Sequence, residues 1–445
     1  MRSGVIRSFR GLGAFAAFLC ALLLGAYGAA SSGDYKGMVD SMLGGASAKA
    51  GAAETYAYTS DYEDLRGLLT ERVSIARQLG EEGCVLLKND GALPLGDDGG
   101  ERRVTVLGNR AYTYKTDGTL RDTRLTAYGG VTGSVIYEQK VTINDENGDP
   151  EVVGSPVTLE TAFAEQNIKI NPALKAFYSN KEFTPIPQGS EAADAAGGAY
   201  SVNEPRLNLS DTGNHAEYGD ACFVVIGRTS GEGRDYLPGV RGTGSGSSQK
   251  SAIGLSAEER ELISVADAIS HGNVIVLINS AVAMEIDELK NDDRVNSVLW
   301  IGLPGSYGMS GVARVIRGKA SPSGKLADTY AVNASGAPAA RNFGDGDPDV
   351  FVADGKGEAY LNSLYSWSNG SYTAASNGHY VVMAEGIFTG YYYYETRYND
   401  AVLDSAAQSG AAISGAASAK GAVEDADAWR YADEVVYPFG YGLSY

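Results

Sequence analysis

Residues 220–239 read DACFVVIGRTSGEGRDYLPG. Ala221 to Ile226 is an unbroken apolar run, with Asp220 before it and Gly227, then Ser230-Gly231-Glu232-Gly233, after it. A strand with one wet face alternates apolar and polar residues, so a run without alternation reads as a strand buried on both faces. Two runs of the same kind follow, NVIVLIN at 273–279 and NSVLWI at 296–301, and Arg103-Val104-Thr105-Val106-Leu107 precedes them, closed by Gly108-Asn109. Amphipathic helical patterns lie between them. At 255–259, Ser256 has the place of an N-cap, Glu259 closes a capping box and Leu255 stands as its staple. Leu262, Ile263, Ala266 and Ile269 make the apolar face, and Gly272 ends the helix. A short helix is expected over Met284 to Leu289. Another is expected to be capped by Ser306, with Met309, Val312, Ala313 and Ile316 inward and Gly318 at its end. Apolar strands alternating with such helices predict the α/β class: a mostly parallel sheet covered by helices on both faces, an α/β sandwich.

In open α/β sheets, ligands collect at the loops that leave the carboxyl ends of strands. Glu232 has that place, between Gly231 and Gly233, whose backbones turn freely and leave the carboxyl group uncrowded. On residues alone this glutamate is either a poised proton donor or a solvated loop side chain.

The chain has 445 residues and a formal charge of −19. A basic patch for nucleic acid is not expected from that balance, whereas a neutral ligand is indifferent to it. The three cysteines, Cys20, Cys84 and Cys222, form no CxxC spacing, and His215, His271 and His379 are far apart. No metal site and no cofactor are expected. The Gly/Ser-rich stretch from Thr243 to Ser251 does not fit a phosphate-cradling loop.

Arg2, Arg7 and Arg10 precede an apolar run from Gly11 to Ala30. That is the layout of an export signal, and the run is also close to the ~20 residues that span a bilayer. Residues 1–32 are therefore expected as a hydrophobic helix, either a cleaved signal peptide or a membrane anchor, with the rest of the chain extracytoplasmic, secreted or anchored. Residues 33–80 read as linker and lead-in helix. Ser60-Asp61-Tyr62-Glu63 has the form of a capping box, and Leu65, Leu68, Leu69, Val73, Ala76 and Leu79 follow at helical spacing, predicting a helix from about Asp61 to Leu79. Thr158 to Phe163 reads as a helix leading into a strand at Ile168–Ile170. Ala173 to His215 shows no sustained period and is expected to be irregular.

Five segments, in order, carry a resemblance: EEGCVLLKNDGALPL at 81–95, SGEGRD at 230–235, GLPGSYGMSGVARVIRGKASPSGKLADTY at 302–330, Glu385-Gly386-Ile387 with Gly390 to Glu395, and YPFGYGLSY at 437–445. They resemble the α/β sandwich domain, usually called C-terminal, of glycoside hydrolase family 3, the β-glucosidase and β-xylosidase family. The resemblance covers 81–445, with insertions at about 344–378 and 401–427. It implies retaining hydrolysis of β-linked glucoside or xyloside oligosaccharides, with Glu232 as general acid/base and Arg228, Arg234, Asp235 and Tyr236 as sugar contacts. The family's Asp-Arg pair is not reproduced: Arg234 precedes Asp235, and Tyr236 follows. A retaining glycosidase needs two carboxyl groups ~5–5.5 Å apart. In the family the nucleophile is an aspartate of a (β/α)8 barrel in an SDW-type motif, and neither that motif nor the barrel's KHF motif occurs here. The chain resembles the first half of a member whose sandwich precedes its barrel, and the implied partner is a barrel on a second chain. A non-catalytic carbohydrate-binding module and a truncated inactive fragment stand as alternatives. Tyr391 to Tyr394 either stack on sugar or pack by alternation in a strand.

Overall fold

The computed structural model describes residues 64–112, 114–116, 119–121, 141–144, 147–180, 204–228, 253–270, 272–334, 343–345, 379–381, 386–398 and 431–445, together with Leu19, Asp61, Tyr62 and Ala337. The chain divides into two compact units, Met1–Glu63 and Asp64–Tyr445. In the first, Leu19 is helical and exposed; the rest of the expected N-terminal hydrophobic helix lies outside the described residues. Among the described residues no helix is long and apolar enough to cross a membrane.

In the second unit the chain forms α1 (Leu65–Gly83), β1 (Val85–Asn89), β2 (Arg102–Leu107), α2 (Leu159–Glu165), β3 (Ile168–Ile170), α3 (Pro172–Asn180) and β4 (Ala221–Arg228). It continues through α4 (Ala257–Ser270), β5 (Val274–Ser280), α5 (Asp287–Asn291), β6 (Ser297–Trp300), α6 (Met309–Arg317), β7 (Tyr330–Ala331), α7 (Tyr391–Tyr398), α8 (Tyr431–Glu434) and β8 (Val435–Tyr437). The main sheet runs β1-β6-β5-β4-β2-β3. Its pairings are parallel except that of β1, which lies antiparallel on β6. Every residue of β4 and β5 is buried, as their unbroken apolar runs require.

Successive side chains of a strand point to opposite faces, and β4 shows what covers each. The Phe223 ring meets Phe163 of α2 edge-on, 5.2 Å between centroids. Arg228, of opposite parity, reaches Glu259 of α4. Helices therefore cover both faces. The order of connection sets where a ligand can sit. From β2 the chain steps outward to β3, returns past β2 to β4, and then proceeds the other way through β5 and β6. The direction reverses between β2 and β4, and a doubly wound sheet opens a crevice at such a reversal.

Several local elements depart from the sequence expectation. The first helix starts at Leu65, because the Asp64 carboxylate accepts the Gly67 N–H at 2.7 Å, and it runs on to Gly83. None of its residues is buried; Leu65, Leu68, Ile75 and Leu79 are exposed. It meets α6 through glycine instead: a Cβ on Gly311 would fall 2.1 Å from the Arg77 carbonyl oxygen, and one on Gly80 2.1 Å from that of Gly308. Arg314 then joins the helices by donating to Glu81 at 2.5 Å. Ser306 does not cap α6, whose N-cap residue is Gly308; the Ser306 carbonyl is used by the Val157 N–H at 2.7 Å. The other end is as expected, with Gly318 at φ 87° and Lys319 N–H donating to the Arg314 carbonyl.

The short helix α5 begins later than expected, at Asp287, because Glu285 pairs with Gly254 as a parallel bridge and keeps that stretch extended. Residues 172–180 are helical, with Pro172 in first position and the Asn171 side chain accepting the Ala173 N–H at 3.0 Å. The four tyrosines begin a helix, not a strand. Tyr393 and Tyr394 are buried beside Ala331 and Val435, while Tyr391 stacks on Phe439 with 3.9 Å between centroids. Of the two expected insertions, only Gly344 and Asp345 are among the described residues, paired with Tyr380 and His379.

Candidate functional site at the strand ends

The turn that leaves β2 passes directly over the end of β4. Gly108 has φ 107°, and a Cβ there would lie 2.4 Å from the Val225 carbonyl oxygen, so only glycine fits. Next to it, a Cβ on Gly227 would meet the Asn279 carbonyl oxygen at 2.7 Å. The backbones of β2, β4 and β5 thus converge at their carboxyl ends, and the residues there are polar. Asn109 and Arg110 after β2, Arg228 in β4, and Asn279 and Ser280 in β5 are all buried.

Each of these groups is held by partners. Glu204 accepts the Asn109 N–H at 2.8 Å on one oxygen and the Tyr178 hydroxyl at 2.9 Å on the other. Burial, reinforced by the Glu204 charge, pushes the Tyr178 phenol well above its ordinary range. Arg228 donates in a fork to Glu259, at 2.7 and 2.8 Å, and also to the Gly227 and Gly254 carbonyls. Glu259 completes the expected capping box with Ser256, at 2.8 and 3.1 Å. Burial alone would raise the Glu259 carboxyl, but the Arg228 charge and hydrogen bonds, the Ser256 N–H and the Arg110 charge hold it below the usual carboxylate range.

Of the residues expected to contact sugar, Arg228 is therefore buried and engaged inside the protein. Glu232, Arg234, Asp235 and Tyr236 lie outside the described residues. The chain enters that segment from Arg228, at the end of β4, and returns at Ile253-Gly254, where Gly254 pairs with Glu285 as a parallel bridge. Toward the sheet edge, Asn279 donates to the Gly302 carbonyl at 2.7 Å, and the Trp300 indole to the Ser280 carbonyl at 2.9 Å. Beyond them lies an open cleft of about 640 Å³, bordered by Arg72 and Leu79 of α1 and by Trp300, Leu303, Pro304 and Tyr307. Among the described residues no group of three or more His, Cys, Asp or Glu side chains is placed to hold a metal ion.

Arg110 and Asn279 escaped the sequence reading although the rule that singled out Glu232 applies to them: each sits where a buried strand ends. Glu204 had no such signal, since its surroundings carry no period. Glu259 was found as a cap, but nothing in its spacing showed that it also neutralises Arg228.

A mostly parallel sheet covered by helices on both faces, with polar residues buried at its connection reversal, defines an α/β sandwich. Residues 84–445 match the glycosyl hydrolase family 3 C-terminal domain, and the chain belongs to that family. It is 27% identical over 287 residues to a β-glucosidase of Ruminococcus albus, covering 64% of this chain and 25% of that protein. To β-glucosidase A of Butyrivibrio fibrisolvens it is 26% identical over 256 residues, covering 55% and 23%. The solved structure of β-glucosidase 3B from Thermotoga neapolitana in complex with glycerol superposes with a TM-score of 0.50 at 22% identity, over 87% of this chain and 39% of that one. That likeness shows the fold. The chain spans about a quarter of the length of these curated relatives.

Proposed function

We propose that this chain supplies the acid/base half of a retaining glycosidase acting on β-linked glucosides or xylosides. Glu232 serves as general acid/base and an aspartate on a (β/α)8 barrel, carried by a second chain, as nucleophile. The observation that carries this reading is topological: the segment bearing Glu232 leaves β4 beside β2, where the connections reverse and a ligand crevice opens. The acid protonates the leaving oxygen as the glycosyl–enzyme bond forms, then as base takes a proton from the attacking water. Arg234, Asp235 and Tyr236, on the same segment, are assigned to sugar contacts, and Arg228 to holding the segment. Leu79 of α1, exposed at the rim of the apolar cleft, supports a second domain seated at this edge. The N-terminal arginines and apolar run support an extracytoplasmic site of action.

Purified chain should leave aryl β-glucosides and β-xylosides intact, because an acid without a nucleophile forms no glycosyl intermediate. Addition of a separately expressed family barrel should produce turnover, and Glu232→Gln should then lower it by about 100-fold or more, as for loss of a general acid. Robust turnover by the chain alone would sink the two-chain reading. Full activity of Glu232→Gln in the assembled enzyme would sink the assignment of the acid.

A further inference from the structure

We infer that Tyr392 and Phe439 are the ends of a stacking platform that binds the pyranose rings of a neutral β-linked glucan or xylan chain. Three rings make it. Tyr391 stacks on Phe439 with 3.9 Å between centroids and 13° between planes, and on Tyr392 with 4.2 Å and 30°. Two rings that close cannot share one face of a third, so Tyr391 is the middle of the stack. Both ends meet solvent: Tyr392 is 51% exposed and Phe439 45%. Tyr391 and Tyr392 also share a side-chain hydrogen bond, which raises the Tyr391 phenol above its ordinary range.

The stack is held from behind. Tyr393 and Tyr394, next on α7, are buried beside Ala331 and Val435 and fix the start of the helix. Phe439 sits in a turn pinned on both sides: the Tyr441 N–H donates to the Pro438 carbonyl at 3.1 Å, and the Gly440 N–H to the Leu326 carbonyl at 2.8 Å. Single exposed apolar side chains need no explanation, but a fixed stack of three rings is not a single side chain. Rings already held in place lose little freedom on binding. Half the surface of each end residue amounts to on the order of 200 Å². A stable protein interface takes about 800 Å² from each partner, so the stack is too small to seat a second copy and is matched in scale to sugar rings. A pyranose packs its C–H face on an aromatic ring, and its rim hydroxyls can exchange hydrogen bonds with the tyrosine hydroxyls. The net charge of −19 opposes an anionic chain but not a neutral one. The choice of sugar rests on the reading of this chain as part of a β-glucosidase or β-xylosidase; the platform itself makes no use of Glu232.

The test is calorimetric titration of the full chain with cellohexaose and, separately, with xylohexaose. The parent should bind at least one of them, and the stronger of the two identifies the chain it takes. Tyr392→Ala/Phe439→Ala should weaken that binding by about tenfold or more, as for loss of two stacking rings. Tyr392→Ala alone should fall between the parent and the double variant. Tyr392→Phe keeps the ring and should bind within about threefold of the parent. No binding of either hexaose by the parent would overturn the inference. So would undiminished binding in the double variant, which would put the sugar elsewhere. Sedimentation velocity without sugar should give the parent and the double variant the same mass; a parent dimer that the double variant dissolves would overturn the inference by making the stack a contact between copies. Full turnover of Glu232→Gln in the assembled enzyme would remove the acid assignment and leave these binding results as they are, so the two failures are distinguishable.

Discussion

The Tyr178 hydroxyl stands between the Gly108 N–H, which donates to it at 2.9 Å, and Glu204, to which it donates at 2.9 Å. One phenol on α3 therefore grips the turn that leaves β2, and Glu204 grips the next residue, Asn109. Tyr178→Phe keeps the ring that stacks on Tyr112, 5.0 Å between centroids, and deletes only the hydroxyl. It strands a buried N–H and leaves a carboxylate oxygen short of a donor. The expected loss is about 1–3 kcal/mol, read as a lower urea midpoint with the far-ultraviolet circular dichroism unchanged. A midpoint equal to that of the parent would show that this hydroxyl does not hold the turn.

Glu259 makes stability depend on pH in a direction that can be worked out. Its folded pKa lies below the ordinary 4.5: burial opposes this, but the Arg228 charge and hydrogen bonds outweigh it. A carboxyl with a depressed folded pKa contributes its stability above the unfolded pKa and loses it as pH falls through the folded one. The melting temperature of the parent should therefore drop as pH is lowered below about 4.5. Glu259→Gln should already melt lower at pH 7, because removing one partner of a buried pair costs about 3–5 kcal/mol. It should also lose less on acidification, so the two curves converge. Curves that stay parallel down to pH 3 would show that this carboxyl is not the group titrating.

The crossing of α1 and α6 tolerates no side chain at Gly311. A Cβ there would lie 2.1 Å from the Arg77 carbonyl oxygen and 2.6 Å from the Glu81 nitrogen, both backbone atoms that no rotamer change can move aside. Gly311→Ala gains up to about 1 kcal/mol of helix propensity yet must push α1 away, and overpacking of this kind costs about 1–3 kcal/mol. The net expectation is destabilisation. Gly83, in the same helix as Arg77 and Glu81, has nothing within 4 Å of its would-be Cβ, so Gly83→Ala is the control and should be neutral or slightly stabilising. Thermal melts of the two variants decide the matter: equal midpoints would mean that α1 does not rest on α6 in solution.

The central strands were legible because burial on both faces leaves an unbroken apolar run, as in Ala221 to Ile226 and Val274 to Ile278. The first helix boundary was less so. The Ser60 box predicts a start near Asp61, whereas the cap of the helix is Asp64, identified by its hydrogen bond from the Gly67 N–H. The lead-in helix showed helical spacing, but spacing does not say whether the stripe is covered, and here Leu65, Leu68 and Leu79 are not. Tyrosines 391–394 misled because a homogeneous run has no period; its helical form follows from Tyr393 and Tyr394 both facing the packed cluster. Glu232, outside the described residues, was singled out from position and resemblance. The Arg228–Glu259 pairing was not, because two residues 31 apart meet only once β4 and α4 are packed.

Two thiols report on how the sheet opens. Cys84, just before the edge strand β1, is buried and donates to the Gly80 carbonyl at 3.1 Å. Burial, with the Glu81 charge nearby, pushes its pKa up to about 12. Cys222 lies inside the central strand β4, and burial raises its thiol too. The thiolate is the reactive form, so in a Cys20→Ser background neither thiol should react with iodoacetamide at pH 8 in native conditions, and both should after denaturation. Sheet edges open at lower free energy than centres. As urea is raised below the main transition, Cys84 should therefore be labelled first and Cys222 only with global unfolding. Mapping the modified peptides by mass spectrometry separates the two. Simultaneous labelling would show that β1, though antiparallel and at the edge, opens only together with the parallel core.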